Sequence, residues 1–240
     1  MAIERTHVTR RQLLARLPDG GAAGVTRYVM SGEMPELADL GLDAEDVDRL
    51  AEVAEASETG CVLFAREADV TLVVPPFPVE EAVTYSELWP AILVELLERR
   101  RTVAVCLLRK GGFSAGVFRG EALVDSKTAQ RFVKNRHRKG GQSQRRFDRI
   151  REKQVHELFG IACSESREKL EPYEGEIQHV FFGGDRHTLQ AFRKECSYFE
   201  RFGARVMRRV LPVPGDPRRA LLEAMPREVW ASDAYRVART

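Results

Sequence analysis

Apolar and polar positions along this chain follow two rhythms, one of period two and one near 3.6, and the switches between them mark its elements. Cys61 to Ala65 and Val70 to Val74 are short apolar runs separated by Arg-Glu-Ala-Asp, the pattern of a β-hairpin, and Pro75, Pro76 and Pro78 end it. Thr102 to Leu108 is an apolar strand that meets Arg109-Lys110-Gly111-Gly112, and Phe113 to Phe118 alternates as its returning partner, with Ala122 to Val124 continuing the sheet. Ile177 to Gly184 predicts a further strand that ends in glycines, followed by a helix over about Asp185 to Phe199. Ser86 is placed to cap a helix running to about Arg100. Residues 1–57 predict a mostly helical lead-in: a short helix over Arg10 to Leu17, a strand over Val25 to Met30, and a helix over Asp43 to Ala56 begun by an Asp cap.

The expected fold is therefore α/β in the broad, α+β sense, a mixed β-sheet of about five or six strands with flanking helices. The domain organisation that follows is a lead-in over 1–57 packed on the main domain, a main domain over 58–212, and a C-terminal extension over 213–240.

The longest helical pattern runs from Ser143 to about Lys169. On a wheel of about 100° per residue, Phe147, Ile150, Val155, Leu158, Phe159 and Ala162 fall in one half. Arg145, Arg146, Arg149 and Lys153 fall in the other, and Arg151 is the exception on the apolar side. One face packs on the domain and the other offers cations.

The tetrapeptide Arg-Lys-Gly-Gly occurs twice. The first copy, Arg109 to Gly112, lies between two strands, where paired glycines supply the positive φ of a tight turn. The second, Arg138-Lys139-Gly140-Gly141, has no strands beside it. Gln130 to Asn135 before it predicts a short helix or loop, and Gln142 follows it, at the head of the long helix.

Composition adds little until charge is located. With 240 residues and 43% hydrophobic content the chain can bury a core alone, and the formal net charge is only +2. From Arg131 to Lys153, however, ten Lys/Arg face two acids, a local balance of +8 that leaves −6 for the rest. A positive field focused at one place is what a polyanion-binding surface requires; a solvated basic helix face is the plainer alternative. Cys61, Cys106, Cys163 and Cys196 are widely separated, with no CxxC pair and no histidine at ligand spacing, so they are expected to be reduced thiols in a cytoplasmic protein. The N-terminus has no apolar signal region and no run approaches about 18 apolar residues, so neither export nor a membrane partner is expected.

A Gly-Gly-Gln tip on a basic stalk has a definite chemistry. Gly140 and Gly141 let the backbone approach a ligand closely. The Gln142 amide donates and accepts hydrogen bonds but is no strong base. It can orient a water, and its backbone N–H can stabilise a developing oxyanion. A partner must complete the active site, and the cations Arg136, Arg138, Lys139, Arg145, Arg146 and Arg149 indicate RNA phosphate. No cofactor or metal is called for. Roughly one chain in twenty of this length would contain the tripeptide by chance, so its surroundings carry the argument.

Gly140-Gly141-Gln142, in a basic loop running into a long helix within a mixed α/β domain, resembles the middle domain of the eukaryotic and archaeal class I translation termination factors. It is closer still to the Vms-like release factor (VLRF) family, a branch of that domain associated with ribosome quality control and including actinobacterial members. The resemblance runs from about Thr102 through Ile177 to Gly184 and the helix after it. It covers no stop-codon-reading domain and none of the ankyrin or zinc-finger additions of eukaryotic members. It implies a peptidyl-tRNA hydrolase in which the tripeptide enters the peptidyl transferase centre of the ribosomal large subunit and Gln142 helps water attack the ester joining peptide to tRNA. Cleavage of the tRNA acceptor arm, to which eukaryotic members are linked, and a non-catalytic ribosome- or RNA-binding module are the alternatives.

Other candidates weigh less. His137 in the basic loop could contact phosphate, but a solvent-facing histidine is the plainer reading. His156-Glu157 lacks the second histidine of a zinc-protease helix. Asp69, Asp125 and Asp185 fall near strand ends, where a metal-dependent nuclease places carboxylates, at generic spacing. Ser114 and Ser126 have no nucleophile-elbow context, a glycine turn into an N-cap at Ser143 would explain Gly140 and Gly141 but not Gln142, and no phosphate-binding loop is present.

Overall fold

Among the described residues the chain forms eleven strands and seven α-helices. A computed structural model describes residues 3–109, 111–130 and 142–239; of residues 142–148 and 151 it describes the helical backbone alone. The strands are β1 (Glu4–Val8), β2 (Val25–Val29), β3 (Cys61–Ala65), β4 (Asp69–Val74), β5 (Val83–Tyr85), β6 (Thr102–Arg109), β7 (Gly112–Arg119), β8 (Ala122–Gln130), β9 (His179–Gly184), β10 (Val206–Leu211) and β11 (Ser232–Ala238). The helices are α1 (Arg10–Leu14), α2 (Ala44–Ala56), α3 (Ala91–Glu98), α4 (Gln142–Leu170), α5 (Arg186–Glu195), α6 (Arg219–Ala224) and α7 (Pro226–Val229). They divide into two units, residues 1–99 with 229–240, and residues 100–228.

The first unit is built on a six-stranded sheet in the order β1-β11-β4-β3-β2-β5, antiparallel throughout. Alternate residues of its strands, among them Leu63, Val70, Leu72 and Val237, join Leu50 and Ala54 of α2 in one core. Asp43 caps α2 by accepting a hydrogen bond from the Asp46 N–H, as the sequence predicts. The expected organisation changes here. The lead-in over 1–57 is not mostly helical, since β1 and β2 lie in it. The β3/β4 hairpin belongs with it and not with the main domain, because its two edges are taken by β2 and β11. The units part at 99/100 and 228/229 instead of 57/58 and 212/213. Ser86 caps nothing: β5 ends one residue earlier, and Pro90 holds the N-cap of α3 without a side-chain bond.

The second unit carries a mixed sheet in the order β10-β9-β6-β7-β8, with β10, β9 and β6 parallel and β7 and β8 antiparallel. Helices α4 and α5 lie on it, burying Leu158, Phe159, Ala162 and Phe192 against Cys106, Phe113, Ala115 and Val117. This is the mixed α/β arrangement expected, in one of two sheets. Strands β6 and β7 pair antiparallel across the first Arg-Lys-Gly-Gly, as expected, but Gly112 is already strand, paired with Arg109 and Gln130, and its φ is not positive. This glycine answers to crowding, because a Cβ there would lie 2.7 Å from the Ala129 carbonyl oxygen. No described helix is long and apolar enough to cross a membrane.

Candidate functional site

Strand register gathers several chain ends at one end of the second sheet. Gly112 pairs with Arg109 at the β6/β7 turn and with Gln130, the last residue of β8. Leu108 pairs with Gly184, and Leu211 with Gly183, so the C-terminal ends of β9 and β10 arrive at the same place. Arg109 ties this end together by donating to the carbonyls of Val213 (3.4 Å) and Gly215 (3.1 Å). The chain leaves β8 here for the second Arg-Lys-Gly-Gly.

Helix α4 comes back along β8 in the opposite direction. Lys127 pairs with Glu165 (3.0 Å) and Asp125 lies 3.7 Å from Lys169, so a step back along the strand is a step forward along the helix. The head of α4 thus points to the end where β8 leaves the sheet. From Val155 onward an apolar stripe, Leu158, Phe159, Ala162 and Leu170, packs into the core. Thirteen residues of α4, Gln142 to Gln154, precede that stripe, which at 1.5 Å per residue is about 20 Å of helix. Of these, Arg149, Glu152 and Lys153 are exposed and Ile150 is half-buried.

Gln142 is the first residue of α4, so Ser143 lies inside the helix and is not its N-cap. Arg145, Arg146 and Arg149 follow within the first three turns, and Arg149 shows an exposed side chain. Gly140, Gly141, Arg136, Arg138, Lys139 and His137 lie outside the described residues, as do the side chains of Gln142, Arg145 and Arg146.

Helix α5 braces the stalk in a way the sequence did not announce. Phe159 meets Phe192 edge-on at 5.6 Å, the His156 Nδ1 lies 2.8 Å from a Glu195 carboxylate oxygen, and Cys163 and Cys196 form a disulfide with Cα atoms 5.5 Å apart. The expectation of four reduced thiols is corrected by that bond. Thirty-three residues separate the pair in sequence, and only helix packing brings them together. Cys61 and Cys106 are buried free thiols, each pushed up to about 12 by burial. Helix α5 also presents Arg186, Arg193 and Lys194 to solvent, cations that lie far from the basic segment in sequence.

The three aspartates do not converge. Asp69 sits in the first unit between Arg66 and Arg236. Asp125 accepts from the Ser126 N–H. Asp185 caps α5, where the Thr188 hydroxyl holds its carboxyl below the usual range. Ser114 is buried within β7.

Charge follows the division into units. The first carries twenty acidic side chains against ten basic, and the second twenty-eight basic against sixteen acidic, so formal charges of −10 and +12 share one chain. A polyanion is drawn to the second unit and repelled by the first.

The profile of the Actinobacteria/chloroflexi VLRF1 release factor (acVLRF1) matches residues 101–234. Peptide chain release factor subunit 1 of Methanopyrus kandleri is 28% identical over 156 residues, 61% of this chain and 38% of the relative. That of Aeropyrum pernix is 28% identical over 156 residues, 61% of this chain and 42% of the relative. The chain spans about two fifths of the length of these relatives. Among solved structures, the archaeal translation termination factor aRF1 aligns with a TM-score of 0.39 and 17% identity over 93% of this chain and 73% of its own. The Vms1 mitochondrial localization core aligns with a TM-score of 0.43 and 10% identity over 82% and 85%.

Proposed function

Because the chain belongs to the Actinobacteria/chloroflexi VLRF1 release factor family, we propose that it frees nascent chains from stalled ribosomal large subunits by hydrolysing the ester of peptidyl-tRNA. The observation that carries this is the position of Gly140-Gly141-Gln142. The tripeptide falls within the matched segment and, in sequence, amid ten cations, and its Gln142 is the first residue of a 29-residue helix.

Each part has a role in the reaction. Water attacks the ester carbonyl, a tetrahedral oxyanion forms, and the terminal ribose hydroxyl of the tRNA leaves with a proton. Gln142 orients the water through its side-chain amide or holds the oxyanion through its backbone N–H. Gly140 and Gly141 keep the backbone bare so that the tip enters the peptidyl transferase centre. Arg136, Arg138, Lys139, Arg145, Arg146 and Arg149 bind RNA phosphate, which positions the tip without reading sequence. A neutral amide is suited to this work because the ribosome supplies the rest of the site.

A single-turnover assay on large subunits carrying labelled peptidyl-tRNA tests the proposal. The expected products are free peptide and a tRNA with an intact CCA end. A tRNA shortened within its acceptor arm would identify the nuclease reaction, and tight binding without any product would identify a non-catalytic module.

A further inference from the structure

The six-stranded sheet of the first unit has a second face, and at one place its side chains are too small to fill the space above it. Two cross-strand rows run there. Glu4, Arg236, Thr71 and Phe64 are successive partners in one, and Thr6, Ala234 and Val73 in the other. Ala234, between Thr6 and Val73, leaves a depression. Leu13 and Leu17, from α1 and the turn after it, wall the depression, and the half-open cavity is about 450 Å³, within the usual range for small-molecule sites of about 300–1,000 Å³.

Its polar groups are concentrated. Arg66 and Arg236 line the cavity beside one buried carboxylate, Asp69, which accepts from Arg236 at 3.0 Å and 2.6 Å and so fixes the direction of that guanidinium, with the Arg66 guanidinium 3.1 Å away. Arg16 reaches the same cavity from an exposed position after α1. Three of the ten basic residues of a unit that carries twenty acids therefore meet at one cavity, against two carboxylates, Asp69 and Glu4. A guanidinium held in advance by a carboxylate, with two more beside it, is suited to a phosphate. A floor of Ala234, Val73 and Phe64 suits an apolar ring, and Glu4 on the rim, with the Thr6 and Thr71 hydroxyls, suits the hydroxyls of a sugar.

We propose that this cavity binds a nucleotide, with the phosphate on Arg16, Arg66 and Arg236 and the base over Ala234 and Val73. The site is in the first unit and does not depend on Gly140-Gly141-Gln142. Its nucleotide comes either free or as one unstacked unit of single-stranded RNA, and the two sources share the chemistry.

Site-resolved NMR of the full chain, titrated with AMP, adenosine, inorganic phosphate and a short oligoadenylate, tests it through the amides of Thr6, Thr71 and Ala234. These report on the cavity even where RNA also binds the second unit. AMP or the oligoadenylate is expected to shift them saturably, and AMP to bind about tenfold more tightly than adenosine through the charged contacts. A stronger response to AMP marks a free mononucleotide, and a stronger response to the oligoadenylate marks RNA. Arg16→Ala, at an exposed position, is expected to weaken binding about fivefold or more, and Ala234→Leu to abolish it by filling the depression. Should Ala234→Leu fail to fold, Arg16→Ala decides. No saturable shift with AMP or oligoadenylate, or shifts unchanged in the variants, would overturn the site.

Discussion

Gln142 combines two positions, the end of a diglycine and the first turn of α4, where backbone N–H groups have no partner within the helix. Its proposed contribution exists only while the oxyanion exists. Gln142→Ala is therefore expected to slow release by about a hundredfold or more while large-subunit binding stays within about twofold. An equal loss of binding and release would assign Gln142 to docking. A second residue marks the scaffold. Gly184 ends β9 at a φ of 139°, and a Cβ there would lie 2.1 Å from the Leu108 carbonyl oxygen. Gly184→Ala is expected to cost more than about 2 kcal/mol in a urea titration. The sequence shows that glycines end this strand; it does not show the neighbouring carbonyl that excludes every other residue, because β6 contributes it from more than seventy positions away.

Helix α4 was legible at the level of elements because its apolar stripe keeps a helical period through Ala162. The strands β6 and β7 were legible because both faces are buried and the turn between them carries glycine. Four strands were not. In β1 only Val8 is fully buried, β5 has three residues, β10 interrupts its alternation with Arg208 and Arg209, and β11 sets polar residues on the open face. Weak alternation of this kind settles only when neighbouring strands supply the other half of the pattern. The arginines in the first turns of α4 carry their own prediction. Replacing Arg145, Arg146 and Arg149 together with Ala is expected to weaken RNA binding and to reduce the slope of log K against log salt by about 0.7 to 0.9 per lost phosphate contact. An unchanged slope would return the three to a solvated face. The disulfide between Cys163 and Cys196 closes a loop of 33 residues, for which the expected stabilisation is about 2–4 kcal/mol. Thermal melts of the wild type with and without reductant, beside Cys196→Ser, are expected to show that difference.

Over the whole molecule the chain is electrically divided, and the sequence disclosed half of this. The basic segment stood out because it is contiguous. The opposed charges of −10 and +12 became visible only with the boundaries at 99/100 and 228/229, since β11 returns to the first unit after the second is complete. The profile match over 101–234 covers the unit that carries the tripeptide. The proposed chemistry, if confined to that unit, would need the peptidyl transferase centre and the acceptor end of the tRNA, and no message. Release is therefore expected to be independent of the codon and to proceed on isolated large subunits. The most direct measurement compares single-turnover peptide release by the wild type and Gln142→Ala on purified large subunits carrying labelled peptidyl-tRNA, with whole ribosomes programmed with a stop or a sense codon alongside. The account predicts release from the large subunits by the wild type, with the CCA end intact, and almost none by the variant at equal occupancy. Equal release by the two proteins, or wild-type release confined to ribosomes programmed with a stop codon, would contradict it.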